Sequence, residues 1–494
     1  MYYYSTRDLN KSQKYTSAEV IKKGLADDGG LFIPESIPAL SESEVKELCG
    51  DKYPVRAAKI LSKFLTDYTY DELLSDCMEA YSESSFVGGA APLININDNV
   101  YTLELWHGPT AAFKDMALQI MPKLLSRALV KTGEKRTALI LVATSGDTGK
   151  AALEGYKDIP GIKIMVYYPI DGVSRVQKLQ MATQTGSNVN VCAIRGNFDD
   201  AQNGVKAIFS DAEMAKKLNE NGYFLSSANS INWGRLAPQI VYYISAYCDL
   251  INAGKLSYGE KINVCVPTGN FGNIFGAYIA KKMGLPVGKL ICASNANNVL
   301  TDFFNKGVYD RRRDFHTTIS PSMDILISSN LERLLSLAAG AEKTVEYMTK
   351  LKAEGVYTVG NEVISAIDKE FKGYFASEED TVATIKRTLS ETNNLIDTHT
   401  AVGVFAANKY RAESGDCTTM VVASTASPYK FASDVYASIT GETASDGLAA
   451  LDMLTELTGV DIPYPLKDIA SRKVRFEEVI DASDMPQKVL EFAK

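Results

Sequence analysis

The sequence predicts an α/β protein with a buried, mainly parallel sheet. Three runs of strand length, ending at Ala143, Val266 and Ala423, lead through small polar residues into a helical pattern. Strands without a polar face that alternate with helices are typical of this class. The apolar, largely β-branched runs are Ala138–Ala143, Ile164–Tyr168, Val189–Ile194, Ile262–Val266, Leu290–Ala293 and Met420–Ala423.

Composition limits the kind of protein this can be. A chain of 494 residues is longer than a single hydrophobic core usually supports, so two to four domains are expected. The net charge of -8 argues against a nucleic-acid or membrane-surface partner. The three histidines and seven scattered cysteines lack metal-ligand spacing, so we predict no metal site. No signal peptide and no apolar run of about 18 residues is visible, which favours the cytoplasm.

The alternation of strands and helices does not extend along the whole chain. Residues 1–93 lack this alternation and are predicted to form an N-terminal domain. Residues 311–390 are predicted to be a mostly helical insertion, because Leu, Glu, Lys and Ala recur there at helical spacing. The remainder is divided between a large domain (94–135, 226–310, and 391–494 with a C-terminal segment) and a small domain (136–225).

The first candidate site is the segment HGPTAAFKD at His107–Asp115. Gly108-Pro109 predicts a turn, and Phe113-Lys114-Asp115 would open a helix continuing through Met116–Leu129. The partial positive charge of a helix N-terminus, with burial, would lower the pKa of Lys114. Such an amine can attack an aldehyde. The alternative is a solvated surface lysine, as most lysines are.

Two further turns join a strand to a helix. Thr144–Gly149 (TSGDTG) offers hydroxyls and outward N–H groups for a carboxylate or phosphate, or else is a turn capped by Asp147. Gly269–Asn273 (GNFGN) allows close backbone approach to a phosphate, although a tight structural turn fits equally well.

Two polar loops complete the set. Ser226–Arg235 (SSANSINWGR) offers amides, hydroxyls and a guanidinium suited to a second phosphate, whereas taken alone it is more simply a loop before a helix. Ser424–Phe431 (STASPYKF) follows a strand and taken alone is only another turn.

The ordered set of five motifs resembles threonine synthases, a family of fold-type-II pyridoxal-phosphate enzymes. The segment GLADDGGLFIPE at Gly24–Glu35 also resembles the opening of that family's bacterial and fungal branch. The resemblance runs from about Tyr15 to Phe431. It implies two open, mainly parallel sheets flanked by helices, an N-terminal unit, a helical insertion, and pyridoxal 5'-phosphate as cofactor.

The resemblance also implies roles for individual residues. Lys114 would be the catalytic Schiff-base lysine. Thr425 would bond the pyridine nitrogen and Asp147 would face the ring hydroxyl. The other cofactor-binding residues would be Phe113, Gly269, Asn270, Phe271, Gly272 and Asn273. The substrate carboxylate would bind Ser145 and Thr148 with Thr144 nearby, and the substrate phosphate would bind Asn229, Ser230 and Arg235.

The activity implied is conversion of O-phospho-L-homoserine and water to L-threonine and phosphate by a monomer or homodimer. A phospho-lyase that gives 2-oxobutyrate from the same substrate remains an alternative, as does a degenerate, non-catalytic cofactor-binding protein. Serine or threonine dehydratases need no second phosphate site. Ser427 departs from the family pattern, since many relatives have His there; this puts in doubt a role for that side chain in proton movement or solvent exclusion.

Overall fold

The structure is a computed structural model and describes residues 1–144, 146–171 and 173–494. The strands are β1 Tyr3–Ser5, β2 Phe32–Pro34, β3 Leu93–Asn97, β4 Val100–Glu104, β5 Thr137–Ala143, β6 Ile162–Pro169, β7 Val189–Arg195, β8 Tyr223–Ser226, β9 Ile262–Pro267, β10 Val287–Ser294, β11 Val308–Asp310, β12 Val356–Thr358, β13 Phe371–Phe375, β14 Thr419–Ser424 and β15 Val479–Asp481.

Helices alternate with most of these strands. They are α1 Ser17–Lys23, α2 Glu42–Gly50, α3 Tyr53–Phe64, α4 Tyr70–Ala80, α5 Asp115–Leu118, α6 Met121–Lys131, α7 Asp147–Tyr156, α8 Arg175–Ala182, α9 Phe198–Ser210, α10 Ala212–Glu220, α11 Trp233–Leu236, α12 Pro238–Asn252, α13 Gly272–Lys282, α14 Val299–Lys306, α15 Leu331–Ala353, α16 Asn361–Glu370, α17 Glu378–Thr392, α18 Thr398–Ser414, α19 Ala432–Thr440, α20 Ala449–Thr458 and α21 Met485–Phe492. Among the described residues, none of these helices is both long and apolar enough to cross a membrane.

Two open sheets confirm the predicted α/β class. The larger has the strand order β13-β10-β9-β14-β4-β3, parallel except for the β4–β3 pair. The smaller has the order β15-β7-β6-β5-β8 and is parallel throughout. Parallel strands end at the same edge, so the loops after β9, β14 and β4, three neighbouring strands, are brought together there.

Both faces of each sheet are covered, which explains the continuous apolar runs. Along β9, Val264 and Val266 belong to the core formed with α12 and α13, while Cys265 lies in a second core with α18. Along β5, Ile140 belongs to the first core, and Leu139 packs in a third core that includes residues of α9, α10 and α21.

Three features differ from the sequence-based expectation. The helix predicted through Met116–Leu129 is broken into α5 and α6, because Pro122 cannot donate the N–H of a continuing helix. The stretch 311–390 also contains strands, of which β13 extends the larger sheet beside β10. The segment 391–494 sends β15 to the smaller sheet, beside β7. The domain boundaries themselves remain predictions.

Candidate active site

The loop that carries Lys114 is held in place by backbone hydrogen bonds to the loop after β14. The N–H of Phe113 donates to the carbonyl of Thr425 at 2.8 Å, and the N–H of Ser427 donates to the carbonyl of Ala111 at 3.1 Å. Ala111 has a φ of 59°, a left-handed conformation that these bonds hold in place. The two loops therefore form one unit at the edge of the larger sheet.

Lys114 is buried, with 9% of its surface exposed, so the alternative of a solvated surface lysine is wrong. Its Nζ lies 3.3 Å from Oδ2 of Asp147 and 3.5 Å from Oγ of Ser322. Burial lowers the pKa of Lys114; Asp147 opposes this, and Lys430 adds to it. The amine is therefore easier to deprotonate than an ordinary lysine, as a nucleophile requires.

Asp147, the first residue of α7, lies between two lysines. Its Oδ1 accepts from Nζ of Lys430 at 2.9 Å and from Nε2 of Gln177 at 2.8 Å. Burial pushes the pKa of this carboxyl upward, but Lys430 and Lys114 outweigh it and hold the pKa well below its ordinary value. The site thus carries a buried, ionised carboxylate beside the Lys114 amine.

The glycine loop joins β9 to the N-terminus of α13. Phe271 has a φ of 63°, and a Cβ on Gly269 would lie 2.8 Å from the carbonyl of Ser322. The carbonyl of Asn270 accepts from Nδ2 of Asn330 at 2.8 Å, which fixes the loop from outside. The loop therefore presents the start of an 11-residue helix, where backbone N–H groups can bind an anion.

Two side chains of this loop, those of Phe271 and Asn273, point into the protein. The ring of Phe271 is buried against the rings of Phe304 and Phe371, so only its backbone can contribute to binding an anion. Oδ1 of Asn273 accepts from the hydroxyls of Tyr242, at 2.6 Å, and Tyr243, at 2.5 Å. Its buried Nδ2 has no partner among the described residues and remains free to donate.

The loop after β8 carries a buried, incompletely bonded arginine. Arg235 is 3% exposed; one Nη donates to the carbonyl of Ala228 at 2.6 Å, while Nε has no partner among the described residues. Burial lowers the pKa of Arg235 to about 10. Its charge also contributes to lowering the pKa of Lys114. In the same loop Ser230 is half-buried and Asn229 is exposed.

The loop after β5 is only partly described, since Ser145 lies outside the described residues. Oγ1 of Thr144 accepts from the N–H groups of Gly146 at 3.0 Å and Gly149 at 2.9 Å. That hydroxyl oxygen thus shapes the turn itself. Thr148 is half-buried in the first turn of α7, next to Asp147.

Thr425 and Ser427 follow β14 and are both buried. Oγ of Ser427 accepts from the N–H of Tyr429 at 3.3 Å and so caps a short helical turn. The departure from the family pattern at this position therefore has a local structural use.

The comparisons with known proteins agree with this geometry. Residues 88–425 match the model of pyridoxal-phosphate dependent enzymes. Residues 2–81 match the threonine synthase N terminus, and residues 400–489 match the threonine synthase C-terminal region. The chain belongs to the threonine synthase family of pyridoxal-phosphate enzymes.

Relatives of this threonine synthase family span most of the chain. Threonine synthase from Pseudomonas aeruginosa is 39% identical, covering 87% of this chain and 89% of the relative. Threonine synthase-like 1 from Homo sapiens is 38% identical over 96% of this chain, which spans 65% of that relative's length. The crystal structure of pyridoxal-phosphate-bound threonine synthase from Brucella melitensis has a TM-score of 0.87 and 36% identity, with 100% of both chains covered.

Pyridoxal 5'-phosphate is the cofactor of this threonine synthase-family chain, and the residues present fit it. The buried Lys114 amine suits an aldehyde, since burial favours its neutral form. The glycine loop, with the helix start and the unpartnered Nδ2 of Asn273, suits a phosphate. We infer that Lys114 and residues 269–273 hold the cofactor, while Phe113 and Thr425 border it.

Sequence reasoning missed three residues around Lys114. Lys430 lies within the segment Ser424–Phe431, but no role was predicted for its side chain. Ser322 lies within 311–390, which was predicted to be a helical insertion, so no local signal marked it as a site residue. His399 was considered only as a metal ligand; its Nε2 accepts from the N–H of Ser322 at 3.1 Å, and Nδ1 lies 2.8 Å from Oδ2 of Asp397. This buried pair holds the Ser322 loop beside Lys114.

Replacing Lys430 should change how pH controls cofactor attachment. In Lys430→Met the lysine charge that lowers the pKa of Lys114 is lost, so that pKa rises. A smaller neutral fraction then slows attachment of pyridoxal phosphate at neutral pH, and raising the pH restores the rate. The rate of cofactor binding by the apoenzyme, followed by absorbance against pH, measures this shift.

Lys150→Met is the matched control. Lys150, which lies on α7, is also a buried lysine and is paired with Glu154 at 2.9 Å. It is not among the main charges acting on Lys114. Its replacement should leave the pH midpoint unchanged. An unshifted midpoint in Lys430→Met would show that Lys430 does not set the protonation of Lys114.

Proposed function

We propose that the chain is a threonine synthase, a carbon–oxygen lyase that converts O-phospho-L-homoserine and water to L-threonine and phosphate. One observation carries the proposal. Arg235, buried and with an Nε that has no partner among the described residues, offers a second phosphate-binding group besides the glycine loop. One such group serves the cofactor phosphate, and the other serves a substrate phosphate.

Substrate binding would use two loops, the one that follows β5 and the one that follows β8. Arg235, Asn229 and Ser230 would hold the phosphate, while Ser145 and Thr148 would hold the carboxylate. Fixing both ends of a four-carbon substrate brings Cα and Cβ within reach of Lys114 Nζ. Because Oγ1 of Thr144 is used by the turn, we assign Thr144 the lesser role of shaping that loop.

Bound pyridoxal phosphate supplies an electron sink for the negative charge formed at Cα. Lys114 Nζ would take the proton from Cα and, once it has released that proton, the proton from Cβ, acting as a general base. Negative charge at Cβ would expel phosphate from Cγ, and Arg235 would remain to neutralise the leaving group. Cγ and Cα would each regain a proton, the first forming the methyl group of threonine, while water would add its hydroxyl group at Cβ and give its other proton to the phosphate. Ser322 Oγ, 3.5 Å from Nζ, lies where it can accept a hydrogen bond from the amine.

Asp147 would remain ionised throughout, because the Lys430 ammonium still balances the charge of the Asp147 carboxylate when Lys114 is deprotonated. The two lysines would therefore have different roles. Lys114 acts on the substrate, whereas Lys430 acts on the carboxylate that faces the cofactor.

A comparison of substrates tests the proposal. Purified holoenzyme is incubated with O-phospho-L-homoserine, L-serine or L-threonine, and phosphate, ammonia and amino-acid products are measured. We expect phosphate release from O-phosphohomoserine with kcat/KM at least about a hundredfold above that for dehydration of serine, since only the first substrate uses Arg235. A preference for serine or threonine would indicate a dehydratase and overturn the proposal.

The phospho-lyase alternative is separated from the synthase by its product alone. Both activities would use Lys114, the glycine loop and Arg235, so they differ only in product. A cofactor-binding protein without activity would show the cofactor absorbance but release no phosphate.

A further inference from the structure

Arg333, on α15, is a fully buried arginine. It contacts the 226–235 loop directly and the glycine loop, residues 269–273, through Asn330. Its Nε donates to the carbonyl of Phe32 at 2.9 Å, and one Nη donates to the carbonyl of Ile231 at 2.6 Å. Its other Nη donates to Oδ1 of Asn330. Ile231 directly follows Asn229 and Ser230 in the loop assigned to the substrate phosphate.

Asn330 carries the contact on to the glycine loop. Its Nδ2 and its backbone N–H both donate to the carbonyl of Asn270, at 2.8 and 3.1 Å. Asn330 is itself fully buried. The guanidinium of Arg333 thus contacts one loop directly and the other through a single side chain, so it fixes the spacing between them.

The charge of Arg333 has no carboxylate in contact among the described residues. Glu332, its neighbour in the chain, is paired instead with Arg7, through bonds of 2.8 and 2.9 Å. Burial lowers the pKa of Arg333 to about 9, the direction expected for a cation without a counter-ion. Such a buried charge is unfavourable alone and is stabilised by anions bound nearby.

We propose that Arg333 is a positioning residue for both phosphates: it sets the distance between the glycine loop and the 226–235 loop and gives both a positive potential. The part that concerns the 226–235 loop rests on the proposed function. The part that concerns the glycine loop rests only on the cofactor.

The test uses two probes, pyridoxal phosphate added to apoenzyme and inorganic phosphate added to holoenzyme, each titrated to give a Kd. Arg333→Met should weaken both by about tenfold or more, the size expected for a lost charged hydrogen bond. Asn330→Ala, which leaves Arg333 in place, should weaken pyridoxal phosphate by a similar factor and inorganic phosphate far less. Arg56→Met is the matched control, because Arg56 is a buried arginine paired with Asp249 at 2.7 Å and contacts neither loop.

Unchanged Kd values in Arg333→Met, with only a lower melting temperature, would overturn the proposal, as would an equal loss of cofactor affinity in Arg56→Met. If Arg333→Met does not fold, Asn330→Ala decides: unchanged cofactor affinity rejects the link, and selective loss supports it. If wild-type holoenzyme binds no inorganic phosphate, the second phosphate site of the proposed function fails. The Kd of pyridoxal phosphate still tests the role of Arg333 at the glycine loop.

Discussion

Lys114→Ala is expected to lose the borohydride-reducible bond between cofactor and protein and to reduce kcat by about 10⁴-fold or more, because one amine serves as both nucleophile and general base. The fold should persist, since removing a buried amine also removes the cost of burying its charge. Mass spectrometry after borohydride reduction, steady-state kinetics and a thermal melt measure the three effects.

The competing candidate is Lys430, the other amine bound to Asp147. Lys430→Ala serves as the control and should retain the reducible bond. If instead Lys114→Ala keeps the bond and Lys430→Ala loses it, the catalytic assignment moves to Lys430.

Arg235→Ala should lower kcat/KM for O-phospho-L-homoserine by roughly 30-fold or more, with cofactor occupancy unchanged. The reason is that a charged hydrogen-bonding partner is worth about 2–5 kcal/mol when its site is desolvated, and Arg235 is buried. Steady-state kinetics on fully loaded enzyme give the ratio directly.

Two comparisons make the Arg235 result specific. Arg235→Lys keeps the charge but loses the planar fork, so its kcat/KM should fall between wild type and Arg235→Ala. Any residual turnover of L-serine, which has no phosphate, should change far less than that of O-phosphohomoserine. An undiminished kcat/KM for O-phosphohomoserine in Arg235→Ala would remove Arg235 from the substrate site.

The class of fold and several loops of the site could be predicted because they have local signals. A parallel strand buried on both faces is mostly apolar, as β9 and β14 are, and the loop that follows it lies at the functional edge of the sheet. Gly269 and Thr425 were found in this way, and Lys114 was found from the Gly108-Pro109 turn before a helical pattern; the family resemblance supplied their roles. The buried state of Lys114 could not be read from its sequence, since it depends on packing against Asp147 and Ser322.

The features that were missed depend on contacts distant in sequence. The strand β15 has three residues, too few for a periodic pattern, and pairs with β7 across nearly 300 positions of chain. Ser322 is held beside Lys114 by His399, which lies on α18, far along the chain. Arg333 is part of a helical pattern in the sequence, and only the fold shows that it contacts the 226–235 loop directly and the glycine loop through Asn330.

Turnover in oxygen-18 water tests the central claim most directly, because a synthase and a phospho-lyase diverge only after phosphate leaves. A synthase must hold the bound substrate until one water adds at Cβ, for which Ser145 and Thr148 would fix the carboxylate. We therefore predict oxygen-18 in the hydroxyl of the threonine formed from O-phospho-L-homoserine, with little 2-oxobutyrate. Mainly 2-oxobutyrate and ammonia from the wild-type enzyme would contradict the synthase assignment, while the fold and the cofactor would stand.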